Sequence, residues 1–313
     1  MPETLVIALG GNAITRAGEP GTIPQQFAHT AETLTHLLPL LRGDARIAMT
    51  HGNGPQIGNI LIRVEEGERR VPRLPLDTCV SDSQGGMGYM IQRIACGLFR
   101  REGIARTAVT VITQVLVSEE DGELAHPIKP IGQIYSRDEA DQIRRERPHW
   151  TLAEVEPGRW RRMVCSPRPI RIMEEAAIAR LLDSGTLVIA CGGGGIPVAW
   201  QKNRLVGVEG VIDKDLASSL LARDLGAQKL IIVTSVERVA LGYGRPGQQW
   251  LDTVTARQAR EYLDAGEFPA GSMGPKIEAA IDFVSRGGAE CIITSTEQVA
   301  RAVRGEAGTH IVP

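Results

Sequence analysis

Leu5-Val6-Ile7-Ala8-Leu9 runs directly into Gly10-Gly11-Asn12. Five apolar residues without alternation describe a strand buried on both faces, the condition of a parallel sheet covered by helices on each side. The pattern recurs along the chain. Arg46-Ile47-Ala48-Met49-Thr50 leads into His51-Gly52-Asn53-Gly54-Pro55, and Thr186-Leu187-Val188-Ile189-Ala190 leads into Cys191 and Gly192 to Gly195. Leu230-Ile231-Ile232-Val233-Thr234 leads into Ser235-Val236-Glu237. Helical periodicity lies between these runs, near 26–42, 55–66, 83–101, 172–184 and 213–225. Strands alternating with helices predict an α/β fold with an open, mostly parallel, doubly wound sheet between helices. Ligands of such sheets bind beyond the carboxyl ends of the strands, where these glycine loops converge.

The bulk numbers agree with one large α/β domain spanning 1–313. Hydrophobic residues make up 42% and charged residues 23%, enough for a sizeable core, and the net charge is −2. That balance, with only 4% aromatic residues, gives no reason to expect nucleic acid or an acidic membrane as partner. Five unpaired-looking cysteines, Cys79, Cys96, Cys165, Cys191 and Cys291, fit reduced thiols in a cytoplasmic protein. Neither a signal peptide nor a membrane-spanning stretch is visible.

One segment breaks the alternation. From Ser118 to Pro169 the chain is rich in charge, proline and tryptophan, with Glu119-Glu120-Asp121-Gly122, Lys129-Pro130-Ile131-Gly132 and Arg159-Trp160-Arg161-Arg162. Trp150, Trp160, Ile128 and Ile131 argue against a disordered linker. The segment 118–169 is read as a protruding lid subdomain, inserted within the main domain, that presents Lys129.

Lysine usage then points to a site. Lys and Arg total 35, yet the lysines are only Lys129, Lys202, Lys214, Lys229 and Lys276. Arginine serves as the general surface cation here, so the remaining lysines mark places where a compact ammonium is wanted. Lys202 and Lys229 read as surface residues. Asp213 is a plausible N-cap, which puts Lys214 and Asp215 in a first helical turn whose stripe is Ala217, Leu220, Leu221 and Leu225 and whose stop is Gly226. Pro275 suits the first position of another helix, placing Lys276 in its first turn. Lysine opposes the helix dipole there by roughly 0.3–1 kcal/mol. Two such placements make sense if both helix ends face one strongly anionic ligand.

The familiar nucleotide signatures are missing. No lysine follows a glycine, so GxxxxGK[ST] is absent, and Gly192-Gly193-Gly194-Gly195-Ile196-Pro197 fails GxGxxG at its last position. What remains is lysines, glycine N–H donors and carboxylates. Phosphoryl transfer needs little more, because its catalysis is mostly positioning and charge neutralisation. Lys214 and Lys276 would hold nucleotide phosphates, and Asp213 and Asp215 would orient the ammonium groups or help hold Mg²⁺.

Ala8-Leu9-Gly10-Gly11-Asn12-Ala13, Thr50 to Gln56, Ser83-Gln84-Gly85 with Gly88-Tyr89, Lys129-Pro130-Ile131-Gly132, Gly192 to Pro197, Asp213-Lys214-Asp215 and Gly271 to Lys276 together resemble the carbamate kinases of the amino-acid kinase family. The blocks occur in order over nearly the whole chain. The resemblance implies a homodimer that reversibly transfers phosphate between ATP and carbamate, using Mg²⁺ with ATP or ADP and commonly running from carbamoyl phosphate and ADP toward ATP. It further implies that Gly10, Gly11 and Asn12 bind the moving phosphoryl group, and that Gly52, Asn53 and Gly54 face the carbamoyl end. Gly193 and Gly194 would join the phosphate and substrate contacts. Lys214 and Lys276 would grip the nucleotide phosphates with Asp215 organising them. Asp213, Ser235 and Tyr243 would lie on the nucleotide side, and Lys129 would reach in from the subdomain. No dedicated protein metal site is implied; Mg²⁺ is expected mainly through nucleotide phosphates.

Many relatives in the wider family carry a lysine where this chain has Ala8, and Lys129 can supply that cation from the lid. A carbamate anion is already an ionised nucleophile, so no general base is required and His51 reads as a turn-shaping, hydrogen-bonding residue. Ser235-Val236-Glu237 stands where an acidic Asp-Val-Asp run is common, and Ile128 where a threonine is usual. The alternatives are a kinase of another small carboxylate, which would need an arginine clamp such as Arg161, Arg162, Arg168 or Arg171, and a non-catalytic nucleotide or acylphosphate sensor, which would have lost a lysine or loop glycine.

Overall fold

The computed structural model describes residues 2–16, 18–118, 126–269 and 271–313, without the side chain of Asn12. The Glu119-Glu120-Asp121-Gly122 run and any side-chain contact of Asn12 lie outside the described residues. Among the described residues, eight strands form the central sheet in the order Thr253–Thr255, Thr309–Val312, Glu290–Ser295, Lys229–Thr234, Thr4–Leu9, Arg46–His51, Leu187–Ile189, Ala108–Thr110. Every neighbouring pair is parallel except Glu290–Ser295 with Thr309–Val312, which is antiparallel. All four apolar runs that end in polar or glycine loops are strands of this sheet, and Thr4–Leu9 lies near its centre.

The continuous apolar reading has a direct structural cause. Val6 and Ala8 join Ala48, Val188, Leu230 and Ile232 on one face, packed under the helices Glu175–Asp183, Lys214–Asp224 and Gly274–Ser285. Leu5, Ile7 and Leu9 join Ile47, Met49, Leu187 and Ile231 on the other, under Ile23–His36 and the long helix Leu76–Glu102. Successive side chains alternate between faces, so two helix layers demand apolar residues at every position. In the long helix Met87, Met90, Ile91 and Leu98 belong to that second core, as a default core stripe should.

The segment that lacked periodicity is ordered by tertiary pairing. Lys129–Tyr135, Arg159–Val164 and Thr151–Glu156 form a three-stranded sheet with Arg159–Val164 in the middle. Helix Arg137–Glu146 covers it, capped by a reciprocal Ser136 and Glu139 box and burying Ala140 beside Tyr135 and Leu152. Its small core explains why no apolar period is visible.

This small sheet is tied to helix Gly54–Gly67. Tyr135 Oη donates to Glu65 at 3.0 Å, and Arg147 pairs with Glu68. Burial raises the Glu65 carboxyl, and the Tyr135 hydroxyl and Arg147 oppose that rise. Trp150 sits beneath three guanidinium groups, those of Arg73, Arg147 and Arg162, at 4.8, 4.5 and 4.2 Å from its ring centre. Among the described residues no helix is long and apolar enough to cross a membrane.

Candidate active site at the carboxyl ends of the sheet

The loops after Thr4–Leu9, Arg46–His51 and Leu187–Ile189 meet where the topology requires. Gly10 N–H donates to Val233 O at 2.9 Å, and a Cβ on Gly10 would lie 2.6 Å from that oxygen. Gly10 is therefore glycine because two strands approach closely. Gly11 opens a short 3-10 turn with free space in the direction a Cβ would take. Gly52 N–H donates to Leu9 O, and the Lys214 stem lies against Gly52, 3.2 Å from where a Cβ would stand.

The glycine run 192–195 is shaped by packing on several sides. Cys191 at φ 49°, Gly193 at 66°, Gly194 at 94° and Gly195 at 87° all hold left-handed backbone. A Cβ on Gly193 would collide with Asn53, on Gly194 with Ile212 O, and on Gly195 with Val115. Gln84 fixes the turn from below: its Nε2 donates to Thr113 O and Gly192 O at 3.1 and 3.0 Å, and its Oε1 accepts from Thr113 N–H. Gly193 reaches the wall of the cleft beneath it. Gly194 N–H donates to Cys191 O and its Cα backs onto Ile212, so it shapes the turn.

Two helix starts converge on this point. Asp213 caps Lys214–Asp224, its carboxylate accepting from Asp215 N–H at 2.8 Å, and Gly226 at φ 61° follows that helix. Helix Gly274–Ser285 begins one residue earlier than expected, with Pro275 at its second position. Asp215 is buried, 2% exposed as a residue, and its carboxylate lies between the two lysines. One oxygen accepts from Lys214 Nζ at 2.5 Å and the other from Lys276 Nζ at 3.1 Å. Burial alone would raise the Asp215 carboxyl, but Lys214 and then Lys276 overcome it and hold it below the usual carboxylate range. Ser272 O also accepts from Lys276.

A cleft of about 810 Å³ opens on one side of this lysine pair, and a cavity of about 520 Å³ on the other. Gly11, Lys214, Gly271, Ser272 and Lys276 line both. Gly52, Asn53, Gly54, Gly193, Lys129, Asp213 and Asp215 line the larger cleft. Gly10, Ser235 and Tyr243 line the smaller cavity, with Phe268 and Met273 as apolar wall. Asp213 faces the larger cleft and accepts from Lys129 Nζ at 3.3 Å. Asn53 leaves its helix start uncapped and instead donates to Ser83 Oγ at 2.8 Å.

His51 is fully buried. Its Nδ1 lies 3.0 Å from Gly52 O, an acceptor only, so Nδ1 carries the proton; its Nε2 has no partner among the described residues. Burial chiefly, with Lys214 nearby and against the Gly52 hydrogen bond, lowers its pKa to about 4. The ring is neutral at pH 7 and does not line the cleft, in keeping with a turn-shaping role.

Of the arginines the sequence offers as an alternative clamp, Arg161 is the one that lines the cleft. It stands in the wall of the larger cleft with no carboxylate in ion-pair range among the described residues. The signal available was the Arg159-Trp160-Arg161-Arg162 run, whose alternation on a strand sends Arg161 and Arg162 to opposite faces. Arg162 turns away from the cleft and pairs with Glu209 at 2.9 Å. As a whole, Arg16, Lys129, Arg161, Lys214 and Lys276 outweigh Glu19, Asp213 and Asp215 along the cleft wall, so the cleft favours anions. Among the described residues no group of three or more His, Cys, Asp or Glu side chains could hold a metal ion, and the Asp213 and Asp215 carboxylates already accept from lysines and a backbone amide.

The comparisons with known proteins agree with this arrangement. The model of the amino acid kinase family matches residues 3–295. The carbamate kinase-like protein YahI of Escherichia coli is 43% identical, covering 100% of this chain and 99% of its own. A carbamate kinase of Pyrococcus horikoshii is 40% identical with full coverage of both chains. The solved structure of carbamate kinase from Giardia lamblia bound to AMP-PNP superposes with a TM-score of 0.94 at 36% identity, covering 99% of this chain and 98% of that one. A strand-end site with two lysines over one buried aspartate, and matches of this extent, lead to one conclusion: the chain belongs to the amino acid kinase family, within its carbamate kinase group.

Proposed function

We propose that the protein is a carbamate kinase, moving a phosphoryl group between carbamoyl phosphate and ADP. The observation that carries this reading is the pair of chambers sharing Gly11, Lys214 and Lys276. A nucleotide in the smaller chamber and a small acylphosphate in the larger would meet end to end across two ammonium groups. The relative from Giardia, named as bound to AMP-PNP, supports a nucleotide in this fold.

In the step proposed, a terminal β-phosphate oxygen of ADP attacks phosphorus, and the bond from phosphorus to the carbamoyl oxygen breaks. Carbamate leaves as an anion, so no proton has to move and no general base is needed. Lys214 and Lys276 neutralise the equatorial oxygens of the moving group, and the Gly11 amide adds a donor. Asp215 keeps both lysines charged and pointed. Lys129 balances the departing carbamate from the opposite wall, with Asp213 holding its ammonium in place. Mg²⁺ fits as a cation held by the nucleotide's own phosphates and water, since the Asp213 and Asp215 oxygens are already occupied by lysines and an amide; when bound it further neutralises phosphate charge. The same reading carries a homodimer in the cytoplasm, which five cysteines without a disulfide suit.

ATP formation from ADP, Mg²⁺ and carbamoyl phosphate tests the reading, with acetyl phosphate as parallel donor. Turnover with carbamoyl phosphate that falls at least about 100-fold in Lys129→Ala, with ADP affinity within about twofold, is the expected result. Folded wild-type protein that gives no ATP, or prefers acetyl phosphate, overturns it.

A further inference from the structure

Arg161 lies on the middle strand of the small three-stranded sheet and faces the larger cleft. Its surroundings differ from those of the other cations there. Lys129 has Asp213, Lys214 and Lys276 share Asp215, and Arg16 pairs with Glu32 at 2.6 Å. Arg161 has no carboxylate within ion-pair distance among the described residues. Its Nη2 donates to Gly132 O at 3.0 Å, and its Nε is buried with no hydrogen-bond partner among the described residues. Burial, with Arg159 as a second cation nearby, lowers the Arg161 pKa. A half-buried guanidinium with an unanswered edge is costly unless something anionic completes it.

The anchoring is equally specific. Gly132 holds φ 70°, and its carbonyl oxygen faces Gly58 of helix Gly54–Gly67. One arm of the guanidinium is thus fixed on backbone, in a side chain that lines the cleft. A planar fork fixed this way matches an oxyanion such as phosphoryl or carboxylate better than an ammonium does. Lys129 starts the neighbouring strand of the same sheet, so any movement of that sheet carries both cations.

We infer that Arg161 is a substrate-binding residue of the acceptor chamber, contacting oxyanion atoms of the acylphosphate together with Lys129 and setting the preference for a small, doubly anionic substrate. The identity of that substrate rests on the proposed carbamate kinase reading; the anion site itself does not.

The test uses full-length wild type, Arg161→Gln and Arg161→Lys. Inorganic phosphate is titrated calorimetrically into each protein saturated with ADP, which leaves only the acceptor chamber free. KM values for carbamoyl phosphate and ADP are then measured in parallel. Arg161→Gln should weaken phosphate binding and raise the carbamoyl phosphate KM about tenfold or more, with the ADP KM within about twofold. Arg161→Lys should recover part of both losses, because it restores charge without the Gly132 contact. A folded Arg161→Gln protein with phosphate affinity and carbamoyl phosphate KM within twofold of wild type overturns the inference. So does an Arg161→Lys protein that loses as much as Arg161→Gln, since Arg161 would then serve only the Gly132 carbonyl. If wild type binds phosphate, Arg161→Gln does not, and neither turns over carbamoyl phosphate, the carbamate kinase reading fails while the anion site stands.

Discussion

Replacing Asp215 by asparagine removes one charge and almost no volume, and its consequences follow from the site's geometry. The carboxylate accepts from Lys214 at 2.5 Å and from Lys276 at 3.1 Å, with side-chain exposures of 14% for each lysine and 3% for the aspartate. Asparagine keeps one acceptor oxygen, but two neighbouring ammonium groups are then left without a counter-charge. Breaking a buried ion pair by removing one partner costs about 3–5 kcal/mol. The lower end applies here, because the lysines retain some water and one hydrogen bond, so about 3 kcal/mol is expected at pH 7. For a chain of this size that corresponds to roughly 6 °C in Tm, at about 2 °C per kcal/mol.

Urea unfolding at pH 7, with and without saturating MgADP, measures it. Nucleotide phosphates supply the missing anion, so ADP should narrow the gap between variant and wild type. The sign with pH also follows. The folded Asp215 pKa lies below its unfolded value, so its stabilisation is fully present above the ordinary carboxylate range and is lost as pH falls through the folded value. The gap should hold from pH 8 to about 5 and close only below about 4. A nucleotide-free variant within about 1 kcal/mol of wild type would refute the claim that Asp215 holds the lysine pair together. A gap untouched by ADP would refute the claim that the pair faces phosphate.

Gly10→Ala and Gly11→Ala should separate packing from chemistry. The first puts a methyl 2.6 Å from Val233 O and is expected to cost about 2 kcal/mol or more, whereas the second meets nothing within 4 Å among the described residues and should unfold within about 1 kcal/mol of wild type while losing phosphoryl transfer. His51 gives an acid-side prediction. Its folded pKa of about 4 is below the 6.5 of the unfolded chain, so the unfolded state binds the extra proton and stability declines as pH falls from about 6.5 toward 4. The expected loss is on the order of 3 kcal/mol, read by urea unfolding at several pH values, and His51→Gln should flatten that slope.

The composition, the four apolar runs and the glycine loops determined the layer order without any tertiary information. A strand buried on both faces has no alternative to being apolar throughout, as Leu5 to Leu9 are, and a helix start with a lysine next to its cap announces an anion, as Asp213 and Lys214 do. These signals are local, carried by residues adjacent in the chain. The small sheet at 129–164 was not legible in its elements, because its strands are half-exposed and its buried residues are split between a small cluster of Tyr135, Ala140 and Leu152 and a second face where Ile131 and Val164 meet Ile57 and Leu61; its order comes from pairing between strands and from Trp150 under three arginines. Which cleft Asp213 faces is a matter of direction that sequence spacing does not carry. Arg161 was legible as an arginine on a strand but not as one without a carboxylate in ion-pair range among the described residues, since that depends on what the fold brings around it. Tertiary structure alone decided that Lys214 and Lys276, far apart in the chain, share one buried carboxylate between two chambers.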